Sequence, residues 1–250
     1  MSGARQAEGG KGRGSLVSGL AVGVGCVLFL GAFVWGAVVY KPYTVPTDSM
    51  APTIGRGDRV LAERIDGDEV RRGDVVVFKD ALWGDLPMVK RVVGVGGDKV
   101  ACCDEQGRLT VNGTPLDEPY LQSRKPASPT VFSATVPKGK LFLLGDHRAD
   151  SLDSRVHLAD GTGGAVPRGA VSGRVDARAW PLDLGMLERP KAFEALPGGV
   201  SRPGPLRLIL GSAVAGAVLI LAGAAYGPLA RRLGRGARRG EQRPEVASGV

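Results

Sequence analysis

The sequence has few of the side chains that bind transition metals, and it has few aromatic residues. It contains 2 His and 3 Cys among 250 residues, and Phe, Trp and Tyr together make up 5% of the chain. No two cysteines have the C-x-x-C spacing. Structural zinc and iron–sulfur sites each need about four such ligands, so the composition disfavours both kinds of site. We therefore expect a protein that works without a metal or another cofactor.

A basic surface on the folded part of the chain is also lacking, although the formal net charge is +8. Residues 1–15 carry a net charge of +2 and residues 231–250 carry +4, which leaves residues 16–230 nearly balanced at +2. A nucleic-acid-binding domain concentrates Lys and Arg on one folded face. The charge distribution therefore predicts no nucleic-acid partner.

Two long stretches contain no charged residue: residues 16–40 and residues 208–230. An apolar helix of about 20 residues spans the core of a membrane, whereas the apolar part of a cleaved secretory signal has about 7–15 residues. Both stretches are predicted to be transmembrane helices, in preference to a cleaved signal for the first and a buried soluble helix for the second. Because Lys and Arg collect on the cytoplasmic side of a span, the basic tails 1–15 and 231–250 are both predicted to be cytoplasmic. The protein is thus expected to cross the plasma membrane twice and to expose residues 41–205 on the extracytoplasmic side.

Between the spans, short β-branched runs alternate with Gly, Pro and Asp turns, and no long stretch has the apolar period of a helix. This pattern predicts a mainly β domain over residues 41–183, with an antiparallel sheet that forms a barrel or a sandwich. The Pro- and Gly-rich residues 184–205 are predicted to be an extended linker into the second span. Cys102 and Cys103 are adjacent, and neighbouring cysteines rarely meet disulfide geometry, so no function is assigned to them. The predicted strands are residues 59–65, 74–79, 88–95, 109–111, 130–136, 140–144 and 170–177.

Two segments of this domain offer a nucleophile and a base. Ser49 lies between two prolines shortly after the first span, and it is either a nucleophile or a solvated loop serine. Lys90 lies in a predicted strand on the same face as Met88 and Val92. Burial there would lower the lysine pKa and let a neutral amine act as a base, unless the side chain extends to solvent from an edge strand.

A third segment, residues 141–155, is an apolar strand followed by a dense polar loop. Its His147 could complete a Ser-His-Asp triad, but nothing in the sequence places it near Ser49. A loop histidine without a catalytic role is therefore the favoured interpretation.

Taken in order, these motifs resemble the type I signal peptidase family over about residues 41–181. The resemblance implies a signal-peptidase-like antiparallel β catalytic domain flanked by N- and C-terminal transmembrane helices. It implies a membrane-bound serine endopeptidase that removes the signal peptides of exported preproteins after small residues, at sites of the Ala-x-Ala type. The implied partners are these preproteins, the lipid bilayer and the secretion translocon, and a second anchor is similar to that of some actinobacterial members. The matching segments are residues 46–53, 57–58, 72–76, 90–94, 96–98, 145–155 and 166–181.

The resemblance also implies the roles of the catalytic residues. Ser49 would be the nucleophile and Lys90 the general base, a Ser–Lys dyad that works through an acyl-enzyme. The backbone N–H of Ser49 and the hydroxyl of Thr47 would form the oxyanion hole.

In the third segment, Ser151 matches the residue that orients the lysine, and Asp153 and Arg155 match an ion pair that shapes the loop. The sequence departs from the common family pattern at four positions, none of which removes a group that the dyad needs. Asp48 stands where many relatives have Gly, and the loop carries His147, Ala149 and Asp150 in place of Asn, Asp and Asn.

Two other functions fit part of this pattern. A catalytically inactive anchored relative could act as a scaffold or assembly factor, but it would be expected to lose Ser49 or Lys90. A self-cleaving repressor relative would be soluble and would carry a DNA-binding domain. If the protein is a peptidase, the strand edges at residues 45–47 and 131–135 are the candidate binding sites for an extended substrate.

Overall fold

The computed structural model describes residues 9–180 and 185–240, with the backbone alone described in 9–15 and 227–240. The chain forms two units: a compact domain over Val38–Gly204, and a helical unit made of the segments before and after it. Most of the predicted tail 1–15 and the second half of the tail 231–250 lie outside the described residues, as does the end of the predicted domain at 181–183.

The helical unit contains helix α1 (Gly9–Val39) and helix α2 (Leu206–Gly240). Their apolar parts, Leu16–Val39 and Leu206–Tyr226, are 24 and 21 residues long, enough to cross a membrane. In the most apolar 18-residue stretch of each helix, only 11% and 17% of the residues are buried, whereas the core helix of a soluble protein would be mostly buried. These helices therefore have the length and the exposed apolar surface of membrane spans.

Small residues let the two helices approach each other closely. A Cβ atom added at Gly25 would lie 2.8 Å from the carbonyl oxygen of Gly216, so a larger side chain would push the helices apart. About two turns away, the Ser18 hydroxyl donates a hydrogen bond of 2.6 Å to the carbonyl of Gly223.

The domain is built from two antiparallel sheets. The large sheet has the strand order β1-β2-β11-β3-β4-β9-β10, with β12 also pairing with β11, and the small sheet has the order β7-β6-β5-β8. Four short 3₁₀ helices lie at Gly67–Glu69, Ala81–Trp83, Arg168–Ala170 and Lys191–Phe193. The strands are β1 (Tyr40–Thr44), β2 (Arg59–Glu63), β3 (Val75–Phe78), β4 (Met88–Val95), β5 (Lys99–Cys102), β6 (Leu109–Val111), β7 (Thr114–Pro115), β8 (Phe132–Thr135), β9 (Lys140–Leu144), β10 (Val166–Pro167), β11 (Val171–Trp180) and β12 (Gly185–Met186).

The mainly β prediction is confirmed, and each of the seven predicted strands corresponds to an observed one. The sequence pattern did not predict β1, whose first residue is the end of the apolar run. It did not predict β5 either, because the four residues of that strand show no clear alternation of polar and apolar side chains. It also missed the two-residue strands β7, β10 and β12, which are too short to carry a periodic signal.

The segment predicted to be an extended linker packs against the domain instead. Phe193 is fully buried and Leu196 is buried with it, in the core that the small sheet shares with β9. Arg189 forms an ion pair with Asp176 of β11, and the Ser201 hydroxyl bonds a buried carboxylate. Pro and Gly mark changes of chain direction here, while the apolar residues between them supply the burial. The compact domain therefore extends to Gly204.

Cys102 and Cys103 are joined by a disulfide bond. The general rarity of bonds between neighbouring cysteines disfavoured this pairing, so the structure corrects that expectation. Cys102 lies at the end of β5 and its side chain is buried in the core beside the small sheet.

Candidate active site

The structure brings Ser49 and Lys90 into direct contact. The Lys90 Nζ atom donates a hydrogen bond of 2.7 Å to the Ser49 Oγ atom. Lys90 is 5% exposed and Ser49 is 8% exposed, although 41 positions separate them in the sequence. A serine hydroxyl within hydrogen-bond reach of a buried amine is the arrangement that an activated nucleophile requires.

A tight turn after β1 holds Ser49 in place. The N–H of Ala51 bonds the carbonyl of Asp48 at 2.9 Å, and the N–H of Ile54 bonds the carbonyl of Met50 at 2.9 Å. The side chains of Met50 and Ile54 are fully buried in the core beside β2 and β3. Two buried apolar side chains that follow Ser49 thus anchor the turn, while Ser49 itself lines a cavity.

Lys90 lies in β4, where Val76 of β3 is its register partner. Burial lowers the pKa of Lys90 from its ordinary value of 10.5 to about 8, because a low-dielectric environment disfavours the ammonium form. The negative charges of Asp153 and Asp146 act in the opposite direction but do not cancel this effect. An appreciable fraction of the side chain is therefore a neutral amine near pH 8.

The loop after β9 supplies two buried carboxylates beside this pair, and each is bound by an arginine. Asp146 accepts two hydrogen bonds from Arg91, of 2.8 and 2.7 Å. Asp153 accepts two from Arg155, of 2.9 and 2.8 Å, and a third of 3.1 Å from the Gly145 N–H. These bidentate pairs fix the loop geometry and offset the charge of both carboxylates.

Ser151 lies against the backbone of the nucleophile. A Cβ atom added at Gly145 would collide with both the Ser151 Oγ and the Ser49 carbonyl oxygen, so glycine permits this close approach. The Ser151 Oγ is buried and has no hydrogen-bond partner among the described residues, and it makes no hydrogen bond to Lys90.

The other sequence candidates lie around the same point. The Thr47 Oγ1 atom is 3.3 Å from the Ser49 Oγ. The Asp48 carboxylate accepts a 2.9 Å hydrogen bond from the Arg56 N–H and has the Arg56 side chain beside it, so it is not directed at the nucleophile. His147 donates its backbone N–H to the Ser49 carbonyl at 3.1 Å, but its buried Nδ1 atom has no partner within the described part of the chain. No Ser-His-Asp triad forms there.

An open cavity of about 320 Å³ begins at the Ser49–Lys90 pair. Its walls include residues 43–49, which continue from β1, and residues 87–89 at the start of β4. The edge at 45–47 therefore borders the cavity as the sequence suggested. The other suggested edge, 131–135, does not line it, because β8 pairs with β5 in the small sheet.

Several residues of the site were not assigned a role from the sequence. Arg91 and Thr53 both bind Asp146, the latter through a hydrogen bond of 2.5 Å from its hydroxyl. Arg91 follows Lys90 in β4, and successive strand residues face opposite sides of a sheet, so its position alone did not indicate that it supports the site. Within the described residues, no group of three or more His, Cys, Asp or Glu side chains could hold a metal ion.

Comparison with known proteins identifies the family of this chain. The sequence model of the family described as "Signal peptidase, peptidase S26" matches residues 18–180. A probable signal peptidase I of Mycobacterium leprae is 32% identical, and the aligned region covers 57% of this chain and 69% of the relative. A signal peptidase I of Leptolyngbya laminosa is 35% identical, with 69% of this chain and 83% of the relative covered. The crystal structure of a signal peptidase I from Enterococcus faecalis is 28% identical, has a TM-score of 0.34, and covers 42% of this chain and 94% of its own.

The chain therefore belongs to the type I signal peptidase family, the membrane-associated serine endopeptidases that remove signal peptides from exported preproteins.

Proposed function

We propose that the protein cleaves signal peptides with a Ser49–Lys90 dyad, through an acyl-enzyme, after small residues at sites of the Ala-x-Ala type. The observation that carries the proposal is the 2.7 Å hydrogen bond between the Lys90 Nζ and the Ser49 Oγ, with both side chains buried. The lowered pKa of Lys90, about 8, supports a neutral amine as the base. An inactive scaffold would have no need to keep a buried lysine against this nucleophile.

The first half of the reaction transfers the acyl group to the enzyme. The neutral Lys90 amine takes the hydroxyl proton of Ser49 while Oγ forms a bond to the scissile carbonyl carbon, and the carbonyl oxygen becomes an oxyanion. The C–N bond then breaks, and the Lys90 ammonium gives its proton to the leaving amine. The signal peptide remains attached to Ser49 as an ester.

The second half regenerates the enzyme. Lys90 removes a proton from water as the water oxygen attacks the ester carbonyl. When the Ser49 oxygen leaves, it takes that proton back, and the signal peptide is released with a free carboxylate.

Two donors would stabilise the oxyanion in both halves. The backbone N–H of Ser49 donates no hydrogen bond within the described residues, so it is available to a substrate oxygen. The nearby Thr47 hydroxyl is the second donor, since it lies within 3.3 Å of the attacking Oγ. Asp153 and Arg155 would hold the loop. The buried Ser151 hydroxyl, which has no hydrogen-bond partner among the described residues, would be free to bond and orient Lys90 when a substrate engages Ser49.

The protein is also proposed to cross the plasma membrane twice, with both termini in the cytoplasm and the domain outside. The lengths of α1 and α2 and the positive charge of the terminal segments support this orientation. Ser49 is nine positions after Tyr40, a reach of at most about 30 Å, so cleavage would occur near the membrane surface where preproteins emerge from the translocon. Protease digestion of sealed inverted and right-side-out vesicles tests the orientation.

The decisive experiment is cleavage of a preprotein whose signal ends in Ala-x-Ala by the full-length protein in detergent. The unchanged protein is compared with Ser49→Ala and Lys90→Met, and mass spectrometry identifies the new N-terminus. We expect cleavage directly after the −1 alanine, and its loss in both folded variants. If Lys90→Met cuts at the native rate, the dyad is wrong, and cleavage at another bond would contradict the specificity.

A further inference from the structure

One wall of the cavity beside Ser49 carries a carboxylate that the dyad does not use. Asp150 and Leu152 both line the cavity, while the side chain of Ser151 between them is turned into the protein. The N–H of Asp150 bonds the carbonyl of His147 at 2.9 Å, and the N–H of His147 bonds the carbonyl of Ser49 at 3.1 Å. Two hydrogen bonds in series thus fix the position of Asp150 relative to the nucleophile.

Asp150 carries an exposed charge in this cavity that no other described residue pairs with. Four charged side chains line it: Asp48, Arg56, Lys90 and Asp150. Asp48 and Arg56 pair with each other, with 3.5 Å between Oδ2 and Nε, and Lys90 is buried against Ser49. The carboxylate of Asp150 is exposed and forms no ion pair or hydrogen bond in the part of the chain that the structure describes. A substrate in the cavity would therefore encounter a net negative wall at this point.

We propose that Asp150 is a specificity-determining residue that favours preproteins with Lys or Arg close to the scissile bond over those with Asp or Glu. The inference rests on the proposed function, because it concerns the peptide bound beside the Ser49–Lys90 pair. A peptide bound in an extended conformation turns alternate side chains to opposite sides. The preference should therefore be confined to one substrate position, or to two positions that are two residues apart.

The expected size of the effect follows from the exposure of the carboxylate. An exposed pair of opposite charges contributes little to binding, and a like pair is unfavourable by a similarly small amount. Exchanging a lysine for a glutamate in the substrate combines both effects. We therefore expect kcat/KM to differ about fivefold between the two peptides at the sensitive position, and the difference to shrink in high salt.

The test uses the full-length protein in detergent at pH 8 and low salt. Peptides with alanine at −3 and −1 carry a single Lys, Gln or Glu at −5, −4, −2, +1 or +2 in turn. The ratio of kcat/KM for Lys to that for Glu is measured at every position for the unchanged protein, for Asp150→Asn and for Asp150→Glu. Glu105→Gln is the matched control, because Glu105 is an exposed acidic residue that does not line the cavity.

We expect a Lys-to-Glu ratio of about five at one position or at two alternate positions. It should fall to about one in Asp150→Asn and persist in Asp150→Glu and Glu105→Gln. A ratio near one at every position in the unchanged protein overturns the inference, as does a native ratio that survives Asp150→Asn. If none of the peptides is cleaved, the proposed function itself fails, and the inference fails with it.

Discussion

Replacing Lys90 with methionine should stabilise the protein while it abolishes activity. The folded state keeps the side chain in a buried position, where the pKa falls from 10.5 to about 8. At pH 7 the ammonium is solvated by water in the unfolded state but must be held inside the folded protein. At about 1.4 kcal/mol for each pH unit, this lowering of the pKa corresponds to a loss of about 3 kcal/mol in the free energy of unfolding. Methionine has a similar volume and no charge, so it avoids this loss.

The net gain is smaller, because the hydrogen bond from Lys90 to Ser49 is lost at a cost of about 1 kcal/mol. A remaining gain of about 2 kcal/mol would raise Tm by about 4–8 °C for a domain of 150–250 residues. The gain should depend on pH in a defined direction. Between pH 8 and 10.5 the unfolded state retains a proton that the folded state has released, so the unchanged protein becomes more stable as pH rises. The advantage of Lys90→Met should therefore be greatest below pH 8 and should fade by about pH 10.5.

Thermal unfolding of the full-length protein in detergent, followed by tryptophan fluorescence at pH 7 and pH 10, measures this difference. Lys79→Met is the matched control, because Lys79 follows β3 and its half-exposed side chain pairs with exposed Asp85. That change should alter the free energy of unfolding by no more than about 0.5 kcal/mol. A Tm for Lys90→Met at or below the native value at pH 7, or an equal gain at both pH values, would refute the reasoning.

Four further outcomes follow from the site and the core. The kcat/KM of the unchanged protein should rise with pH through about 8, because only the neutral form of Lys90 accepts the serine proton, and a profile that is flat from pH 6 to 9 would contradict this. Arg155→Met should move that inflection to higher pH, because it leaves the charge of Asp153 unpaired near the lysine, and an unmoved inflection would exclude this electrostatic role. Thr47→Val should lower kcat by about 10²–10³ through loss of an oxyanion donor, whereas Thr47→Ser should retain most of the activity, and similar losses in both variants would argue against the hydroxyl. Phe193→Ala should cost about 3–5 kcal/mol in chemical denaturation, a loss that a free linker would not show.

The sequence predicted the strands whose residue pattern lies within one short segment, but not the contacts between segments that are distant in the chain. The strand that carries Lys90 was predicted with its observed bounds, because an eight-residue run with four valines between turn residues is a sufficient signal. The packing of Phe193 was not predictable, since a Pro- and Gly-rich segment has the same composition whether it is free or folded against a core. The Asp150 carboxylate was identified as a departure from the family pattern, but its lack of a partner depends on how Asp48 and Arg56 pair with each other.

If Lys90 is the general base, as proposed, its lowered pKa depends on more than burial. Two buried carboxylates, Asp146 and Asp153, are close enough to raise the pKa of Lys90. If they were unpaired, they would hold the lysine as an ordinary ion-paired ammonium, which cannot accept a proton. Each is instead bound by an arginine in a bidentate pair, through Arg91 and Arg155. The arginine charges oppose those of the carboxylates, and desolvation stays the largest influence on the pKa of Lys90. The polar loop after β9 thus brings two carboxylates close to the proposed base in a form that leaves its pKa low.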